Sequence, residues 1–231
     1  MSTVLQWLAL VACLGGLAWR LPAMLKGRNR SLFWAFLMAS ISVALSLPAI
    51  YVPVDEALGG NNFANVILRL SLFAVFFLLS SRIAAAYNSP LARSLIRGPV
   101  GLTVLVACSA GIWVSYFLSD LHGSSAGLAG FFDQPSVVAY MWFGKVYLGY
   151  AAACLVLPTG RAAVSSRRLL DRAAALCMCV GFTLVCSTMV VQMTSLHQTA
   201  VMSFLSFGSI LFVVAGLALV WVSFGRRPTK S

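Results

Sequence analysis

Seven stretches of mostly apolar residues, at 4–25, 32–52, 63–84, 99–118, 137–157, 173–194 and 200–224, alternate with short polar segments. Each is close to the ~20 residues a helix needs to cross a hydrocarbon core of ~30 Å. The apolar runs are continuous and do not alternate at period two, so they predict helices and not barrel strands. Helices also satisfy their own backbone hydrogen bonds, as lipid requires. The pattern therefore predicts an all-α polytopic membrane protein, a single seven-helix domain over 1–231 with no soluble domain. The opening run MSTVLQWLALVACLGGLAWR has no base ahead of its apolar core, and Arg20 is its first positive charge, so it reads as a retained helix and not as a signal peptide.

Composition agrees: 61% of the residues are hydrophobic and 9% charged, against roughly 25% charged in a soluble domain. The net charge of +11 changes the picture only through its placement. Every Lys and Arg except Arg69 and Lys145 falls after span one, at or after the end of span three, between spans five and six, or at the C-terminus. The alternate loops, 53–62, 119–136 and 195–199, hold no Lys or Arg but contain Asp55, Glu56, Asp120 and Asp133. By the positive-inside rule the N-terminus is outside and the C-terminus cytoplasmic, which gives a multi-pass protein of the bacterial inner membrane. The basic loops then read as topology signals facing anionic lipids, and as the face on which a protein partner would dock, not as a nucleic-acid surface.

Aromatic residues near span ends, among them Trp7, Trp19, Trp34, Tyr51, Tyr116 and Tyr140, fit an interfacial belt. Pro48 predicts a kink near the end of span two. The Gly/Ser-rich loop SDLHGSSAGLAGFFDQPS reads as a connector on the helix ends before it reads as a lid. On the basic side, NSPLARSLIRG and PTGRAAVSSRRLLDR mix Leu or Ile with Arg; they read first as solvated, lipid-facing loops and second as short interfacial helical turns. Gly144, Gly149, Ala153, Gly111, Gly208 and Gly216 are small residues that allow close helix packing. No repeat at fixed spacing is present, which counts against an inverted-repeat transporter.

The chain is poor in catalytic chemistry. All six cysteines lie inside spans and read as small apolar residues. His122 and His197 are too few and too far apart for a metal or haem site, and no hydrolase, P-loop or metalloprotease motif occurs. No Asp or Glu lies within a span, against an aspartyl protease or a carboxylate proton relay. A Schiff-base lysine of the retinal type is rejected, because Lys145 is in span five and no carboxylate counter-ion accompanies it. The expectation is a non-enzyme with no cofactor and no metal.

Arg69 and Lys145 are the exceptions to the charge map. Counting at ~1.5 Å per residue, each lies on the order of 10–12 Å inside the outer end of its span. Asn62, Asn65 and Arg69 follow an i, i+3, i+7 spacing and share one helix face. Thr188, Gln192 and Ser195 form a polar stripe near the same side. One reading makes Asn62, Asn65, Arg69, Lys145 and Gln192 the lining of an outward-facing basic pocket. The bland reading has both bases snorkelling to headgroups or pairing with Asp55, Glu56 or Asp133.

The stretch RNRSLFWAFLMASISVALSLPAIYVPVDEALGGNNFANVILRLSLFAVFFLLSSRIAAAY carries a basic start to span two, Pro48, Asp55, the Gly59-Gly60-Asn61-Asn62 turn and Arg69. Over residues 28 to 87 it resembles the N-terminal membrane region of an actinobacterial family of integral membrane proteins described as transporters. The resemblance implies a seven-helix layout and no established substrate. Three functions are in view: a sensor or binding component for an anionic or peptide-like ligand, a small transporter or transport subunit, and a structural subunit of a membrane complex.

Overall fold

The computed structural model describes residues 2–27, 30–125, 128, 130–165, 168–193 and 199–225, without the side chains of 2–5, 192–193, 199–204, 206, 207, 210, 221, 222, 224 and 225. Among the described residues the order is α1 (Ser2–Leu25), α2 (Arg30–Ser46), α3 (Pro48–Ala57), α4 (Phe63–Ala86), α5 (Pro90–Arg97), α6 (Pro99–Phe117), α7 (Pro135–Ser165), α8 (Leu169–Met193) and α9 (Thr199–Gly225). The protein is all-helical. Among the described residues five helices are long and apolar enough to cross a membrane, and six if the bent pair α2 and α3 counts as one span. These helices make it a multi-pass membrane protein.

Span two departs most from the pattern. In place of one helix over 32–52, α2 and α3 meet at 94° across a break at Leu47. Pro48 has no amide hydrogen and its ring crowds the preceding residue, which pushes Leu47 out of the helical region to φ −85°, ψ 117°. Proline at the first position of a helix is favourable, so the residue that ends α2 also starts α3. The segment expected to be loop from 53 onwards is instead helical to Ala57.

The chain folds into two compact units, Met1–Leu79 with Thr103–Tyr147, and Ser80–Leu102 with Leu148–Ser231. In the first, Leu45, Tyr51 and Ala64 form a buried cluster covered by Ile41, Val52, Val54, Ile67 and Leu68. The Ser42 hydroxyl donates to the Leu68 carbonyl at 3.3 Å and ties α2 to α4. Gly111 lies against the ring of Phe143, where a Cβ would come within 2.5 Å of a ring carbon.

The second unit is built on small residues. Gly181 packs on Val213 of α9, Gly216 packs on Met178 of α8, and Gly149 accepts the thioether of Met189. The Tyr150 hydroxyl donates to the Leu95 carbonyl at 2.7 Å, which anchors α5. The first of the two basic segments, for which a lipid-facing loop is the default expectation, is thus helical over Pro90–Arg97, capped by the Ser89 side chain on the Ala92 amide. Asp171, at the start of α8, accepts a hydrogen bond from Ser223 near the end of α9.

Candidate functional site

Two polar clusters lie one above the other along the start of α4, both within the first unit. The upper one is built on Asp55 and Asn62. Asp55, placed on α3, is fully buried. Its carboxylate accepts from the Asn62 amide at 2.9 Å and the Ala64 amide at 3.0 Å. These are orphan donors at the start of α4, and a carboxylate there also complements the helix dipole. The Ser124 hydroxyl completes the set with a 2.6 Å bond to the same carboxylate.

Asn62 sits in the left-handed region at φ 58°, which asparagine tolerates better than other non-glycine residues. This turns its side chain inward, where it is fully buried. Its carbonyl oxygen accepts from the Tyr51 hydroxyl at 2.9 Å and the Ser125 amide at 2.7 Å. Its amide group donates to the Gly123 carbonyl at 2.8 Å. The loop expected to be a connector on the helix ends is fastened to Asp55 and Asn62 at three successive residues.

The lower cluster is built on Arg69. The Asn65 carbonyl oxygen accepts from Arg69 Nε at 3.3 Å and from the Tyr140 hydroxyl at 3.0 Å. The guanidinium lies over the Tyr140 ring, 4.9 Å from its centroid. Its Nη2 group donates to the Met141 sulfur. Its Nη1 atom occupies the space at Gly144, where a Cβ would come within 2.1 Å. Tyr140, Met141 and Gly144 share one face of α7 at i, i+1 and i+4. Lys145 follows directly, partly buried and within Coulombic range of Arg69.

The energies decide how Arg69 is tolerated. An arginine at the centre of a membrane helix costs ~3 kcal/mol on insertion scales. A hydrogen bond to a charged group offsets ~2 kcal/mol, and a cation–π contact ~1 kcal/mol. Neutral partners are thus enough to seat Arg69, yet they cancel none of its charge.

Among the described residues no carboxylate lies within ion-pair distance of Arg69 or Lys145; a contact of ion-pair length joins His122 to Asp120 at 2.7 Å. Asp55 spends its oxygens on α4 and Ser124. Glu56 and Asp133 are exposed. Asn65 shares a face of α4 with Arg69, whereas Asn62, expected on that face, precedes the helix in the left-handed region and belongs to the other cluster. The Gln192 side chain and Ser195 lie outside the described residues.

Tyr51 and Tyr140, read as part of an aromatic belt, are buried and hydrogen-bonded to asparagines. Gly144 is more than a packing glycine, since it holds the space for the guanidinium. No family model, curated protein or solved structure matches the chain.

Proposed function

We propose that the chain is a non-enzymatic inner-membrane sensor or binding component whose outward-facing site, centred on Arg69 and Lys145, takes an anionic or peptide-like ligand. In this reading α9 is a seventh span, the N-terminus is outside and the basic segments face the cytoplasm. The actinobacterial membrane family that residues 28–87 resemble is a fitting home for such a protein. The observation that carries the reading is the unbalanced charge. Two cations lie within Coulombic range of each other, and the contacts of Arg69 are an amide, a ring and a thioether. Low dielectric strengthens the attraction of such a pair for an anion.

Equilibrium binding of a panel of carboxylates, inorganic anions and short peptides to protein in nanodiscs tests it. Arg69→Gln and Lys145→Gln should each weaken binding at least tenfold. Binding unaffected by both substitutions contradicts the reading. The 94° break between α2 and α3 favours a transporter as the second reading, because discontinuous helices build substrate sites in many transporters. Solute flux in proteoliposomes, lost in the same two variants, would decide for it. Binding without flux decides for the sensor.

A further inference from the structure

We infer that residues 121–125 form a releasable strap that closes the Asn62 end of the Arg69–Lys145 site. The inference rests on that site being a ligand site, and it adds how entry is controlled. Asn62 directly precedes α4, and Asn65, on the first turn of that helix, lies between it and Arg69 along the chain. Tyr51, which donates to Asn62, and Asn65, which accepts from Arg69, join the covered end to the site.

The cover is thin. Gly123 and His122 are exposed, and Gly123 has φ +88°, a conformation that a glycine adopts without strain. Leu121 and Leu128, on either side, are buried and fix the ends. Between these anchors the strap is fastened by the Asn62 side chain to Gly123 and Ser125 and by Asp55 to Ser124. Local opening breaks these three hydrogen bonds and the 3.1 Å bond from the Leu128 amide to the Ser125 carbonyl, and moves no apolar anchor, which is a low-energy unfolding unit.

The fastening also communicates with the site. The Asn62 oxygen that holds Ser125 is the acceptor of Tyr51, and the Tyr51 hydroxyl also lies within reach of Asn65. Asn65 in turn holds both Arg69 and Tyr140. A ligand that draws Arg69 away from Asn65 thus alters the hydrogen-bond acceptors on which the strap depends.

The test uses Lys145 as its own reporter. Protein in nanodiscs is treated with a membrane-impermeant amine-reactive ester, and the labelling rate of Lys145 is read by peptide mass spectrometry. Asn62→Gly keeps the left-handed backbone and removes the fastening; Ser124→Ala removes one bond. Labelling should rise roughly tenfold in the first and about threefold in the second, with both variants monodisperse. Rates equal to wild type in both variants overturn the strap, as does a Lys145 that no variant exposes. Repeating the assay with acetate and with inorganic phosphate separates the two ideas. Faster labelling in the variants with no protection by either anion supports the strap and tells against the anion site. Protection by an anion with no change in the variants supports the site and overturns the strap.

Discussion

Asp55 and Arg69 are charges of opposite sign, both close to the start of α4, and the protein treats them in opposite ways. Asp55 is surrounded by donors, two backbone amides and a hydroxyl, that saturate its carboxylate. Arg69 is held by neutral partners and lies within Coulombic range of a second cation. The first arrangement is a structural fastening, complete in itself. The second is stable but leaves a field unbalanced. A buried charge is informative about function when its partners hold it without neutralising it.

The largest effect expected on this comparison is from Asp55→Ala. It leaves the Asn62 and Ala64 amides and the Ser124 hydroxyl without their acceptor, at a cost of about 3 kcal/mol or more. Thermal unfolding in detergent should show it, whereas Arg69→Met, which removes a charge held by neutral partners, should be near neutral. If Arg69→Met costs as much as Asp55→Ala, the contrast between the two clusters is wrong.

Gly144→Ala comes next. Its Cβ would come within 2.1 Å of Nη1, and relieving that overpacking should cost ~1–3 kcal/mol. The same substitution placed on Arg69→Met should cost little. A double-mutant cycle without coupling would show that Gly144 does not house the guanidinium.

Tyr140→Phe keeps the ring under Arg69 and removes the 3.0 Å bond to Asn65, at ~1 kcal/mol. It should leave labelling or protease accessibility of the 121–125 segment unchanged, while Tyr51→Phe, which touches Asn62, should increase it. The reverse order would merge the two clusters into one.

Much of this was legible in the sequence, and the remainder was hidden for physical reasons. Continuous apolar runs marked the helices because lipid demands them, and the spacing put Asn65 and Arg69 on one face of α4, but it also placed Asn62 there, which instead lies before the helix in the left-handed region. Pro48 marked a break but not its 94° angle, which depends on how α3 packs through Tyr51 and Asp55. Asp55 read as a loop acid because nothing local says that a segment 69 residues away will donate to it. Tyr140 and Gly144 were ordinary by composition; their roles come from contacts with residues more than 70 positions earlier. The one signal available was the glycine immediately before an intramembrane lysine.

The smallest effect lies in the other unit, at a third carboxylate. Tyr87 has its phenol pushed up to about 12 from an ordinary 10.0, by burial first and then by the Asp171 carboxylate. A raised folded value means stability present below pH ~10 and lost as pH rises towards 12. Tyrosinate absorbance should show Tyr87 titrating late, and Asp171→Asn should bring it partly back. An unchanged titration in that variant would leave burial as the whole cause.

The central claim is an anion seat between Arg69 and Lys145, and anomalous scattering from crystals soaked in bromide tests it most directly. The account predicts a bromide peak between the guanidinium and the Lys145 ammonium that vanishes in Arg69→Gln/Lys145→Gln. A carboxylate of Glu56 or Asp133 within ion-pair distance of both bases, with no halide between them, would contradict it.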